Sequence, residues 1–77
     1  MTAEHKVVAA IRKLGIGEPA IAPDSRLRDD LGLDSANLIE LTVLVHTMYG
    51  VDLGRRAAEQ KIVPVTVGDL ARLLEGA

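Results

Sequence analysis

The sequence predicts an all-α fold: a small four-helix bundle of three main helices and one short helix, with a long loop between the first two. Apolar residues make up 48% of the 77 residues, which is enough for one small core. They recur at helical spacing in three segments. No two segments are convincing as strands that could pair with each other. We therefore expect one domain spanning residues 1–77.

The first helix is predicted over residues 3–14. Thr2 stands at its start, and Gly15 with Gly17 ends it. Apolar residues fall on one face of this segment, with Lys6, Arg12 and Lys13 outside that face. These are Val7, Val8, Ile11 and Leu14.

Residues 15–33 are predicted to form a loop, because glycines and prolines interrupt any regular period there. A loop of this length is uncommon in a compact domain and is usually functional or disordered. It carries five spaced apolar residues that should hold it against the core, so we expect an ordered loop. They are Ile16, Ile21, Leu27, Leu31 and Leu33.

The central helix is predicted over residues 35–49, between Asp34 as N-cap and Gly50 as the stop. Its apolar stripe consists of Leu38, Leu41, Val45 and Met48, widened by Leu44 and Tyr49. The β-branched residues in this segment also suit a buried strand. The length of the segment and the lack of a partner strand favour the helix.

The remaining residues predict a short helical turn over 55–61, between Gly54 and Pro64, and a last helix over 66–75. Thr66 and Asp69 resemble a capping box at the start of the last helix. Gly76 ends it. Its inner face is predicted to consist of Val67, Leu70, Leu73 and Leu74.

Composition excludes several classes of function. The chain has no cysteine, so disulfides, thiolate metal sites and a cysteine nucleophile are excluded. Ser35 and His46 would be about 16 Å apart along one helix, too far for a catalytic pair. Two distant histidines do not suggest a metal site. The chain shows no phosphate-binding glycine loop, membrane-spanning run or secretory signal.

Charge is distributed unevenly along the chain. Residues 29–54 contain five acidic residues and no Lys or Arg, whereas the rest contains six acidic and nine basic residues. This anionic stretch argues against nucleic-acid binding and favours a basic partner. The alternative is that acids simply favour helix N-termini.

The segment 29–40 (DDLGLDSANLIE) is the strongest candidate for a functional site. Gly32 permits a tight turn, and Asp34 caps the next helix. Ser35 then falls in the exposed first turn, where free N–H groups and the helix dipole favour a phosphate ester. An Asp-Ser pair is also an ordinary helix start, so spacing alone leaves capping and modification equally plausible.

The residues Asp30-Leu31-Gly32-Leu33-Asp34-Ser35 resemble, in order, the phosphopantetheine attachment motif of acyl carrier proteins. The similarity extends to the order of helix, long loop, motif helix, short helix and final helix. Within the motif helix, Glu40 and Leu41 resemble that family's Glu-Leu pair. Residues 49–52 resemble its aromatic-x-x-acid ending.

The resemblance implies that a phosphopantetheinyl transferase attaches 4′-phosphopantetheine to Ser35, and that the thiol of this arm carries acyl groups as thioesters. The protein would then be a carrier and not an enzyme. Other implied partners are a ketosynthase and an acyltransferase or acyl-activating ligase. They would bind beside the serine, at Asp30, Leu33, Ala36, Asn37 and Glu40.

The family's helices also partly enclose the acyl chain. In this sequence the candidates to line such a space are Leu38, Ile39, Val43, Leu44, Ile62 and Val63, whose alternative role is ordinary core packing.

Two features depart from the family pattern. Ala36 stands where Leu or Met is usual, and Glu40 is the one acid within the motif helix. Docking through basic partner residues should then be weaker and less salt-dependent than is typical of the family. A polyketide or other specialised pathway becomes at least as plausible as fatty-acid synthesis.

Alternatives remain open at this point. One is a peptidyl or aryl carrier of a nonribosomal pathway, and another is an unmodified helical interaction module. We expect a cytoplasmic, monomeric, free-standing carrier with no metal, membrane or nucleic-acid partner.

Overall fold

Four helices make up the regular structure of residues 2–16 and 21–76, the part of the chain that the computed structural model describes. They are α1 (Ala3–Lys13), α2 (Ser35–Tyr49), α3 (Leu53–Gln60) and α4 (Val67–Glu75). Within these described ranges there is no strand, apart from one isolated bridge between Arg26 and Thr66. The predicted all-α fold is confirmed.

Helix α1 begins where the sequence predicts. The Thr2 side chain accepts a hydrogen bond from the backbone N–H of His5, as an N-cap does. Val7 and Ile11 are fully buried, and Ala10 joins them on the inner face. The helix ends at Lys13, one residue earlier than predicted, with Leu14 as its C-cap. Predicted loop residues 17–20, including Gly17, lie outside the described residues.

Helix α2 has the predicted bounds and excludes the strand alternative. Gly50 ends it with a left-handed φ of 70°. Leu41 and Val45 are buried, and the other members of the predicted stripe pack against the core while partly exposed. Lys6 lies 5.4 Å above the Tyr49 ring, so its side chain joins α1 to α2 and does not point away from the bundle.

The prediction for the third helix was wrong at both ends. Helix α3 starts at Leu53 and ends at Gln60. The Asp52 carboxylate accepts a hydrogen bond from the N–H of Arg55 and so starts the helix two residues before 55. Gly54 therefore lies inside the helix, and Leu53 is buried. Lys61 ends the helix with a φ of 57°.

Helix α4 starts with the predicted capping box. The Thr66 hydroxyl accepts from the N–H of Asp69, and the Asp69 carboxylate accepts from the N–H of Thr66. All four residues of its predicted inner face are buried. At its other end, Arg56 of α3 donates to the carbonyls of Leu73 and Leu74 at 2.8 and 2.9 Å.

The packing leaves one gap that matters for the site. Helix α1 packs on α4 and on α2, while α3 joins α2 to α4. No close backbone contact joins α2 directly to α4. The long loop fills part of the space between them, because Leu27, Leu31 and Leu33 are buried in the common core.

The loop is also held by backbone hydrogen bonds that the sequence did not predict. Leu27 N–H donates to the Val65 carbonyl at 2.8 Å, and Val67 N–H donates to the Ser25 carbonyl at 3.0 Å. Gly68 N–H donates to the carbonyl oxygen of Pro23 at 2.7 Å, and a Cβ at Gly68 would lie 3.0 Å from that oxygen. Over its described residues the loop is therefore held by pairing with the chain that leads into α4.

Candidate functional site

Ser35 is the first residue of α2 and is exposed. Asp34 is the N-cap, and its carboxylate accepts from the N–H of Asn37 at 2.8 Å. Asn37 Oδ1 accepts in return from the N–H of Asp34 at 3.2 Å, which completes a capping box. The predicted cap is confirmed, and the second half of the box was missed because Asn replaces the usual Glu or Gln.

The buried leucines of the loop position this serine. Leu31 and Leu33 are 7% and 2% exposed, and Gly32 turns the chain between them with a φ of 70°. Leu33 N–H donates to the Leu27 carbonyl at 3.0 Å. Because the residues before Asp34 are anchored in the core, the hydroxyl of Ser35 is presented at a defined place on the surface.

Arg28 is the site residue that the sequence analysis missed. Its Nη2 donates to Ser35 Oγ at 2.9 Å. The two residues are seven positions apart across an irregular loop, so no periodicity could bring them together in a sequence-based argument. A guanidinium beside an exposed hydroxyl at the positive end of a helix suits a phosphate ester.

The acids before the serine are less free than the sequence suggested. Arg26 pairs with Asp29 and with Asp30, each at 3.5 Å. The backbone N–H of Arg26 donates to the Asp30 carboxylate at 2.7 Å and, with the Arg26 charge, holds the pKa of Asp30 below its usual 3.8. The anionic stretch is therefore partly neutralised, because Arg26 precedes it in sequence but folds back onto its first two acids.

The predicted partner-binding residues have different environments. Ala36 and Glu40 are exposed on α2, and Asn37 is half-buried with its side-chain oxygen in the capping box. Asp30 is exposed but paired with Arg26. Leu33 lies in the core, because it anchors the loop, and its side chain is not available at the surface.

A groove opens in the gap between α2 and α4, and Arg28, which contacts Ser35, is part of its lining. This α2–α4 groove has a volume of about 220 Å³. Leu38 and Thr42 of α2 line one side, with Arg28 beside them. The other lining residues are Leu27, Leu41, Val63, Pro64 and Leu70.

A second groove, between α1 and α2, lies on a different face of α2. Ile39, Val43 and Leu44 line this α1–α2 groove, together with Lys13, Leu14, Glu40 and Thr47. The six residues predicted to line one enclosed space therefore do not share one. Ile39 and Val43 are a turn apart on an exposed face, whereas Leu38 points to the α2–α4 groove.

Other potential reactive groups do not form a site. Ser25 is 8% exposed, and its hydroxyl accepts from the N–H of Ala22. His5 and His46 are exposed. Over residues 2–16 and 21–76, no three His, Asp or Glu side chains are grouped so as to hold a metal ion. None of the helices in those ranges has the length and hydropathy that a bilayer span requires.

The chain matches a known family over most of its length. The family model described as "Phosphopantetheine attachment site" matches residues 6–74, a range that includes the whole loop–helix junction. No solved structure matches the chain.

Proposed function

The chain belongs to the phosphopantetheine attachment-site family, and we propose that it is an acyl carrier protein whose arm is attached through Ser35 Oγ. Members of this family are carrier domains with covalently bound 4′-phosphopantetheine, so the cofactor follows from the family. The choice of Ser35 and of acyl cargo is the proposal. The observation that carries it is one exposed hydroxyl at the first residue of α2, within 2.9 Å of a guanidinium.

The residues around Ser35 fit a phosphodiester at this oxygen. The hydroxyl is exposed, the positive end of the α2 dipole faces it, and Arg28 supplies a cation. Asp34 keeps the helix start fixed, so the hydroxyl is held for the transferase that must reach it. When bound, the arm supplies the thiol that this cysteine-free chain lacks.

We further propose that partner enzymes dock on the exposed side of α2. These are a phosphopantetheinyl transferase, a ketosynthase, and an acyltransferase or acyl-activating ligase. Ala36 and Glu40 lie there beside Ile39 and Val43, which are 65% and 60% exposed. An apolar surface with one carboxylate supports docking with a weak salt dependence. The proposed setting is cytoplasmic polyketide, fatty-acid or related specialised biosynthesis.

The attachment site is tested by intact mass. The chain is coexpressed with a broad-specificity phosphopantetheinyl transferase, and wild type should gain the mass of one phosphopantetheine. Ser35→Ala should lose the increment completely. Ser25→Ala is the matched control, because Ser25 is the other serine of the chain and is buried.

Either of two outcomes would contradict the proposal. An increment that persists in Ser35→Ala would place the arm elsewhere. No increment in wild type would favour an unmodified interaction module. Identification of the group carried by protein purified from its native host would then separate an acyl from a peptidyl or aryl carrier.

A further inference from the structure

The backbone of Arg28 is held on both sides. Leu27, its neighbour, is 2% exposed and donates its N–H to Val65 at 2.8 Å. The Arg28 carbonyl accepts from the N–H of Gly32 at 3.0 Å. The long side chain therefore starts from a fixed point in the folded loop, within reach of Ser35 Oγ.

Arg28 differs from Arg26 in how its charge is used. Arg26 pairs with both Asp29 and Asp30. Arg28 has no carboxylate within 4.0 Å among the described residues, and its one side-chain hydrogen bond goes to the neutral hydroxyl of Ser35. A guanidinium has five donors in a planar fork, so most of its capacity is left for an anion.

The site also needs a cation once it carries a phosphate. Asp34 precedes the serine, and its carboxylate is held at the helix start by the N–H of Asn37. A phosphodiester on Ser35 adds a second negative charge beside that carboxylate. The helix dipole favours this charge, and Arg28 is the guanidinium already in contact with the oxygen concerned.

We propose that Arg28 is a positioning residue for the arm, whose guanidinium forms an ion pair with the phosphodiester on Ser35. The inference rests on the proposed function, because it requires the arm to be on this serine. The ester joins phosphorus directly to the Oγ that Arg28 now contacts, and the non-bridging oxygens are two bonds from it. The N–H groups of the guanidinium therefore need to move only slightly to donate to those oxygens in place of the hydroxyl. Arg28 also lines the α2–α4 groove, so the pair holds the start of the arm at the edge of that groove.

The first test is ³¹P NMR of the loaded protein, which reports on the phosphodiester itself. The resonance of Arg28→Gln should be displaced from that of wild type, and the displacement should shrink in 1 M NaCl because salt screens the pair. The resonance of Arg28→Lys should lie between those of wild type and Arg28→Gln, since an ammonium group pairs as a point charge and lacks the planar set of donors of a guanidinium. Arg55→Gln is the matched control: it removes the same charge from an exposed arginine that lies beside His46 and Gly50, toward the other end of α2. Its resonance should coincide with that of wild type.

The second test is urea denaturation of unloaded and loaded protein. Loading should increase the folded-to-unfolded ratio about two- to fivefold more in wild type than in Arg28→Gln, as for an exposed ion pair. Arg55→Gln should show the wild-type increase.

The two proposals fail in different ways. If wild type gains no mass at Ser35, the proposed function is wrong. If the mass is gained but the ³¹P resonance is the same in wild type and Arg28→Gln, or is displaced equally in high salt, the role of Arg28 is wrong and the carrier function stands.

Discussion

At the scale of single residues, Gly32 and Arg28 decide how Ser35 is presented. Gly32 has a φ of 70°, which directs Leu31 and Leu33 into the core on either side of the turn. Arg28 reaches the hydroxyl from the other end of the same turn. Together they decide where the Ser35 hydroxyl lies on the surface and which side chain contacts it.

Replacement of Gly32 by alanine should destabilise the protein by about 1 kcal/mol, because a Cβ disfavours a positive φ. Among the described residues, no atom beyond the glycine and its two chain neighbours lies within 4 Å of the added Cβ, so the cost comes from the backbone alone. Gly54→Ala is the matched control, since Gly54 lies inside α3 and alanine should stabilise that helix slightly. Urea denaturation measures both. Equal stability of Gly32→Ala and wild type would show that the turn tolerates a side chain.

At the scale of elements, side-chain caps determine where helices start. Asp34 caps α2, Asp52 caps α3 and Thr66 caps α4. Asp69 does more than complete its capping box. Its carboxylate accepts from the N–H groups of Val65 and Thr66 and pairs with Arg72, so it joins α4 to the segment that the long loop pairs with.

These contacts predict a pH dependence of stability. The N–H of Val65 chiefly, with that of Thr66 and the Arg72 charge, lowers the pKa of Asp69 below 3.8 in the folded state. As the pH falls, the Asp69 carboxylate is therefore protonated at a higher pH in the unfolded state than in the folded state. The contribution of the Asp69 carboxylate to folding stability is complete above about pH 5 and is lost as the pH falls through its folded-state pKa.

Asp69→Asn should consequently be less stable than wild type at neutral pH, and the difference should narrow as the pH falls toward 3. Chemical denaturation at a series of pH values measures this. A difference that stays constant across the series would show that the carboxylate charge contributes nothing.

At the scale of the whole molecule, the long loop contributes to the core as the helices do. Leu27, Leu31 and Leu33 are buried, whereas Ile39 and Val43 of the central helix are largely exposed. The apolar side chains of the loop therefore support the fold, and those on the outer face of α2 are available to a partner.

This division predicts that one truncation to alanine lowers the stability strongly and another hardly changes it. Leu33→Ala should cost about 2–5 kcal/mol, a large part of the stability of a domain this small. Val43→Ala should stay within about 0.5 kcal/mol of wild type, because the side chain is 60% exposed. Urea denaturation compares the two. A cost for Leu33→Ala as small as that for Val43→Ala would mean that the loop does not anchor the site.

Sequence reasoning was most successful where the signal is local. The caps Asp34 and Thr66 and the stop at Gly50 are side-chain and backbone preferences of neighbouring residues, and all three are confirmed. The error at α3 is also local. Gly54 was interpreted as a boundary, but the Asp52 cap and the burial of Leu53 outweigh the helix cost of one glycine.

The sequence by itself therefore determined the number and order of the helices, the long loop and the exposed serine at the start of α2, because periodicity and capping are local signals. Tertiary structure alone decided which charges and which apolar faces meet. Arg26 and Arg28 fold onto a stretch that has no lysine or arginine of its own, and six candidate lining residues separate into two grooves and an exposed position. These outcomes depend on where buried leucines direct the backbone, and contacts between residues distant in the chain have no period to reveal them.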